Sequence, residues 1–467
     1  MSSLSSNSHS SDPDWDDWWT TSTSSDFGTD ISDSTCSCSS STSTVNFGHE
    51  AFETFRLRAL ELAERNSALL WPESAYDVDG EIAVERMRGG GFNRVIGLSR
   101  HSGQGDYDDV QHYILRIPRY PDSDFESDIA SLLFVQSHTR IETAGLVAFD
   151  RSGDNAVGSP FAIQSRAPGT NLVSGFHDLD HAARCRLARD LGYVFRQMLE
   201  TKSSVPGQLV LSPPDEYRHQ EVMVGPFDAG NTAPFCCYNG SHGRPRDPLA
   251  AWPYDPCPAA SPPFATWLAA MFGAQKTYLE SLPDHVRNRD ATTEAGVSLD
   301  EELDGFIEMA EGLSADGWLD NVGCSLAHLD LECRNMLVDP GAAENLSSLT
   351  VLDWDGAILG PAFMSCAPPM WLWTWTADQV CPCAQCLGEL TANDDPATPE
   401  ARELKQLFED AAGPDYLRFA YRPQYRLARK LVRFALRTQY TDKYGDEALG
   451  MLDEWHDLRM QNGVVHQ

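Results

Sequence analysis

Ser325-Leu-Ala-His328-Leu-Asp330-Leu-Glu-Cys-Arg-Asn335-Met-Leu-Val-Asp339 is the most informative stretch of the 467-residue chain. An apolar, strand-like entry leads to a His-x-Asp, four residues intervene before Asn335, and a short apolar strand follows. About a dozen residues later a second apolar run, Leu349-Thr-Val-Leu352, ends at Asp353-Trp354-Asp355-Gly356. Two strands so spaced predict a hairpin whose mouth gathers Asp330, Asn335 and Asp353. Hard oxygen ligands grouped in this way suit Mg²⁺. Phosphoryl transfer needs such parts: a carboxylate to orient and deprotonate the attacking hydroxyl, and oxygen ligands to hold metal against nucleotide phosphates. Asp330 is the expected base, with Asn335 and Asp353 the expected metal ligands. The bland alternative is a chance set of turn and cap residues, and the joint spacing of all three disfavours it.

Upstream, the glycines Gly89, Gly90 and Gly91 stand between two β-rich runs, 82–87 and 92–98. A glycine triplet there is either a plain hairpin turn or a loop whose backbone amides approach phosphate closely. A third run at 113–117 completes an antiparallel meander. Helical spacing at 52–65 and 127–135, and strands at 145–149 and 161–165, fill out a small β-rich lobe. After Pro168-Gly169 the chain turns mostly helical. Leu187, Leu191, Val194, Phe195 and Met198 make one apolar stripe, and Trp267, Met271, Ala274 and Tyr278 make another. Further helices are expected at 400–412, 424–438 and 445–460, with a Pro/Gly/Cys-rich insertion at 234–263 and no internal repeat. The predicted organisation is α+β: a Ser/Thr/Asp-rich disordered tail at 1–46, a β-rich nucleotide-binding lobe at 47–163, and a helical catalytic and substrate lobe at 164–467.

With these motifs in place the chain resembles the aminoglycoside phosphotransferase and choline-kinase-like superfamily, in its fungal branch. GGGFNRVIGL at 89–98, YILRIPR at 113–119, ESDIASLLFVQSHT at 126–139, APGTNL at 167–172, HLDLECRNMLV at 328–338, VLDWDGAILGP at 351–361 and CAPPMWLW at 366–373 carry the resemblance. It implies a two-lobed protein-kinase-like fold that binds ATP, with GTP an alternative, between its lobes and phosphorylates a small-molecule hydroxyl. It further implies that His328 braces the catalytic loop and that the backbone of Gln164-Ser165-Arg166 receives adenine. Arg116 stands where the family commonly has Lys against the α/β-phosphates, and Asp128 falls where a helix Glu would pair with it, with Glu126 nearby. Arg is not a neutral exchange for Lys, because its planar fork is bulkier than an ammonium. Gly360-Pro361 follows Asp353 almost at once, leaving no room for the activation segment of a protein kinase. A small-molecule acceptor is therefore expected over a protein. A catalytically weak pseudokinase or interaction module on the same fold is the alternative. The resemblance leaves the acceptor open.

Composition narrows the partners. Lys and Arg number 35 against 69 Asp and Glu, a formal charge of −34, which repels phosphate backbones and anionic lipid. No nucleic-acid partner is expected. Nor does any stretch approach the roughly 20 apolar residues of a membrane span. The first residues lack the order of a secretory signal, so a soluble cytoplasmic protein is expected. Trp15, Trp18 and Trp19 among aspartates could serve as an acidic-aromatic docking peptide, though a solvated tail is the simpler reading. Cys381, Cys383 and Cys386 match no standard zinc spacing, even with Cys236, Cys237 or His242 added, and read as free thiols. Trp371, Trp373 and Trp375 read as packing rather than as a cation box. His112, His138, His219 and His242 form no hydrolase arrangement.

Overall fold

The computed structural model describes residues 50–72, 81–87, 92–101, 111–119, 124–212, 221–225, 227, 264–281, 299–342, 347–377, 379, 392–436 and 442–464. The Trp-bearing tail, Gly89 to Gly91, His219, the 234–263 insertion and Cys381, Cys383 and Cys386 lie outside the described residues.

The small lobe begins with α1 (Phe52–Arg65), whose Phe55, Ala59, Leu62 and Ala63 recur at helical spacing and are buried. Strands β1 (Glu81–Arg86), β2 (Asn93–His101) and β3 (His112–Pro118) follow, then α2 (Phe125–His138), β4 (Leu146–Asp150) and β5 (Phe161–Ser165). The five strands form one antiparallel sheet in the order β1-β2-β3-β5-β4. On β3, Tyr113, Leu115 and Ile117 alternate into the core while Arg116 faces the other way, the period-2 signature of a half-covered strand. Those residues pack with α1, Ile96, Leu98, Phe161 and Ile163. The alternation thereby aims Arg116 away from the small-lobe core and into the cleft.

The larger lobe opens with β6 (Thr170–Asn171) and α3 (His181–Glu200), which Asp180 caps through a 2.8 Å bond from Ala183 N–H. Strands β7 (Lys202–Ser203), β8 (Gly207–Leu211) and β9 (Val222–Gly225) come next, then α4 (Phe264–Ser281), α5 (Leu299–Ala315) and β10 (Cys324–Ala327). Strands β11 (Met336–Val338), β12 (Leu349–Val351) and β13 (Ile358–Pro361) lead to α6 (Pro399–Ala420), α7 (Pro423–Leu436) and α8 (Asp442–Val464). The lobe is less purely helical than expected: β7, β10, β13, β8 and β9 form a second five-stranded sheet, in that order. Helical stripes dominate the surrounding sequence, and strands of two to five residues are too short to show a period of their own. Inside α6 the helix breaks at Gly413, with φ +84 before Pro414, close to the expected end at 412.

Candidate active site

The His328–Asn335 stretch forms between strands β10 and β11, as its spacing predicts. Strand β10 delivers His328 into the interior at 5% exposure. The ring donates from Nε2 to the Leu352 carbonyl at 2.9 Å and accepts the Asp330 N–H on Nδ1 at 3.1 Å. A carbonyl only accepts and an amide N–H only donates, so these two bonds fix a neutral Nε2–H tautomer. Burial, which disfavours the charged ring, holds His328 below its usual range. His328 thus ties the loop to the end of β12 and has no spare proton to trade.

Asn335 closes the loop from the other side. Its side-chain nitrogen donates to the Asp330 carbonyl and to Asp330 Oδ2, both at 2.8 Å. Its own main-chain carbonyl accepts the Leu352 N–H at 2.8 Å, which joins loop and hairpin. With the side-chain nitrogen spent on Asp330, Asn335 keeps Oδ1 as the atom available to a cation. Arg334, four residues after Asp330, sets its guanidinium on Asp330 Oδ1. Burial opposes the Arg334 charge, but Asp330 and Glu332 outweigh it and hold the group above its usual range. Strand pairing of β11 with β12 then brings Asp353 to the same mouth. Asp330 and Asp353 stay 46% and 44% exposed there, open to a ligand.

The APGTNL segment supports the loop from below. Gly169 has φ +103, and a Cβ on it would lie 2.6 Å from the Val338 carbonyl, so only glycine lets β6 pair with β11. Asn171 then donates to the Arg334 carbonyl at 2.7 Å. Sequence reasoning missed Asn171 and Arg334 as site supports. The i, i+4 spacing of Asp330 and Arg334 was the one available signal for the latter.

In the cleft the ion pairing differs from the expected one. Arg116 donates from one nitrogen to Asp353 Oδ1 at 2.9 Å and also to Asp355 Oδ2, which in turn accepts Asn93 Nδ2 at 3.1 Å. The expected Arg116–Asp128 ion pair is not among those formed by the described residues, and Glu126 pairs with Arg151 instead. Two carboxylates on one loop reach the guanidinium, while the short Asp128 side chain stays beyond ion-pair distance. Burial opposes the charge on Arg116, but Asp355, Asp353 and Asp128 together hold it above its usual range. Burial, and then Asp355, push the Asp128 carboxyl well above the carboxylate range. Asp355 is thus a direct partner of Arg116.

Burial also pushes Asp355 up to about 6, against the pull of Arg116 and with a further push from Asp353. The folded chain therefore keeps a proton between about pH 4 and 6 that the unfolded chain has already released, so stability falls as pH rises through that window. Asp355→Asn is expected to flatten this fall and to melt above the wild type at pH 7. Thermal melts of both proteins across the acid-to-neutral range check it, and parallel curves would contradict it.

At the hinge, Gln164 is buried in register with Ile114, and the Arg166 N–H donates to the His112 carbonyl at 2.9 Å. That N–H is spent on the sheet, and the Arg166 side chain holds Glu85 at 3.2 Å. A base entering here cannot use the Arg166 N–H without breaking its bond to the His112 carbonyl. The strands flanking Gly89, Gly90 and Gly91 pair from Glu81–His101 to Arg86–Ile96, while the glycines themselves lie outside the described residues. Trp371, Trp373 and Trp375 are all buried, with Trp371 and Trp375 packed on Phe176. After Asp353 the chain rejoins the sheet at β13, paired with β10 from Ile358 to Pro361.

No family model matches the chain. Two curated subtelomeric hrmA-associated cluster proteins, from Aspergillus fumigatus strains Af293 and CEA10, are each 20% identical over 311 residues, 61% of this chain. The chain spans about 60% of the length of these relatives. Among solved structures, the GDP complex of wild-type aminoglycoside 2'-phosphotransferase-IIIa is 14% identical, covering 85% of this chain and 99% of that one at a TM-score of 0.37. A thermostable mutant of aminoglycoside phosphotransferase APH(4)-Ia, in a ternary complex with ADP and hygromycin B, is 12% identical over 84% of this chain and 97% of that one at a TM-score of 0.39. The fold is protein-kinase-like on its own geometry: a five-stranded antiparallel lobe with Arg116 on β3, a following helix, and a His-x-Asp-x₄-Asn loop leading through a hairpin to Asp353.

Proposed function

We propose that the protein is an ATP- and Mg²⁺-dependent phosphotransferase of the aminoglycoside-phosphotransferase and choline-kinase type, acting on a hydroxyl of a small molecule in the cytoplasm. The observation that carries this is the convergence of Asp330, Asn335 and Asp353 on one open mouth, held by His328 and the Asn335–Leu352 main-chain bond. Asp330 accepts the acceptor's proton as its oxygen bonds the γ-phosphorus and the bond to the β-phosphate oxygen breaks. Asn335 Oδ1 and the Asp353 carboxylate are hard oxygen donors that fit Mg²⁺. When bound there, the metal neutralises charge on the nucleotide phosphates. Arg116 reaches the phosphates once nucleotide competes with Asp353 and Asp355 for its guanidinium. The early return of β13 to the sheet favours a small acceptor over a peptide.

Calorimetric binding of ATP and GTP, with and without Mg²⁺, tests the site. Asp353→Asn is expected to abolish the metal-dependent part of the affinity, a loss of at least about tenfold on the scale of a charged ligand removed. Equal metal dependence in wild type and variant would refute the assignment. One observation favours the pseudokinase reading: Arg116 already occupies the Asp353 and Asp355 carboxylates. Failure of the folded wild type to bind either nucleotide, together with no gain in Arg116→Lys, would establish that reading instead.

A further inference from the structure

Far from the phosphotransfer residues in sequence, α3 and α6 lie side by side. Gly192 on α3 approaches so closely that a Cβ there would sit 2.5 Å from the Phe408 carbonyl of α6, and Phe195 packs edge-on against Phe408. This contact brings the N-terminal turns of the two helices together. His181 and Cys185 share a face of α3 at i, i+4 spacing, and Glu403 of α6 meets them. His181 Nε2 lies 2.9 Å from Glu403 Oε2 and 3.5 Å from Cys185 Sγ, and the three donor atoms fall within 4.8 Å of one another.

We propose that His181, Cys185 and Glu403 form a site for a borderline-soft divalent metal, with Zn²⁺ as its occupant. Zinc takes N, S and O donors in a tetrahedron at about 2.0, 2.3 and 2.1 Å, which puts N and S about 3.5 Å apart and N and O about 3.4 Å apart. The imidazole–thiol separation of 3.5 Å already matches; the carboxylate has to move about half an ångström away from the imidazole and settle about 3.6 Å from the thiol, to which it now lies within 4.8 Å. Metal chemistry fits better than a nucleophilic relay. In a relay the acid and the nucleophile sit on opposite ring nitrogens, whereas here both partners face the same atom, Nε2. On binding, Cys185 releases its thiol proton to solvent and forms the S–metal bond. His181 binds through Nε2 with its remaining proton on Nδ1, and Glu403 supplies an oxygen.

His181 and Glu403 are 44% and 56% exposed, so an ion can enter from solvent and water can fill the fourth position. The thiol and imidazole set the site apart from the all-oxygen set at Asp353, which suits Mg²⁺. A bound ion would clip together two helices whose ligands lie 222 residues apart in the chain. Among the described residues this is the only such group of three His, Cys, Asp or Glu ligands.

The test is titration of the reduced, metal-free full-length chain with Co²⁺ and then Zn²⁺, compared with Cys185→Ala, His181→Gln and Glu403→Gln. Because the chain holds 12 Cys and 13 His, the readout is the difference between proteins. The wild type is expected to bind one equivalent more than Cys185→Ala and to show a stronger thiolate-to-cobalt charge-transfer band. His181→Gln and Glu403→Gln are expected to weaken that equivalent at least about tenfold, the minimum for lost outer partners of a metal site. Zn²⁺ should raise the melting temperature of the wild type more than that of Glu403→Gln, whose exposed, near-isosteric change leaves the fold intact. Equal stoichiometry, cobalt spectrum and zinc-dependent melting in the wild type and Glu403→Gln would overturn the proposal.

Discussion

Nucleotide turnover by Asp330→Asn is expected to fall about 10²–10⁴-fold below the wild type, the usual contribution of a positioned general base. The change keeps the side chain's shape and the backbone bonds that hold the loop, since His328 takes the Asp330 N–H and Asn335 takes its carbonyl. What it removes is the carboxylate proposed to receive the hydroxyl proton, together with the charge facing Arg334. Basal ATP hydrolysis, with water as the surrogate acceptor, makes the measurement possible before the natural acceptor is identified. Nucleotide affinity should stay near the wild-type value, because the role proposed for Asp330 is toward the acceptor rather than the phosphates. Unchanged turnover would remove Asp330 from the catalytic role. Parallel losses of turnover and nucleotide affinity would show that the residue shapes the site rather than acting in it.

The second large effect is on stability. Trp354 lies between the two carboxylates that hold Arg116, and its own side chain is buried to 2% exposure. Its indole donates to the Val351 carbonyl at 3.3 Å, and its ring centroid lies 4.7 Å from that of His328. Trp354→Ala should therefore cost about 3–5 kcal/mol, the range for emptying a large aromatic site in a core. It should also release the ring that backs His328, so turnover should drop further than the fraction of unfolded protein explains. Chemical denaturation of the wild type, Trp354→Ala and Trp354→Phe separates the two effects. Phe restores most of the volume and should recover most of the stability. A midpoint for Trp354→Ala within error of the wild type would contradict the close packing around the indole.

Much of this architecture was legible because its determinants are local. Periodicity at Tyr113, Leu115 and Ile117 set a strand with Arg116 on its opposite face, and helical spacing from Phe55 to Ala63 set α1. The His328 to Asn335 interval shaped a loop that closes through bonds spanning only five residues. The hairpin from Met336 to Val351 followed from two apolar runs at the right separation.

Partner choice was not legible in the same way. Arg116 settles on Asp353 and Asp355, 237 and 239 residues away, although Asp128 stands nearer in sequence. Which carboxylate wins depends on how the two lobes meet and how far each side chain reaches, and no local pattern encodes either. The hinge N–H of Arg166 is taken by His112 for the same reason, since sheet register decides it. The second sheet stayed hidden because its strands are short and gain their order only from neighbours brought in by the fold. His181 and Cys185 share a helix face that spacing alone defines, but Glu403 reaches them only through the close approach of α3 and α6 at Gly192. Local pattern was enough for the small-lobe strands, the helices and the shape of the loop, because these rest on contacts a few residues apart. Which charges and ligands face one another emerged only in three dimensions, because that depends on packing between segments hundreds of residues apart.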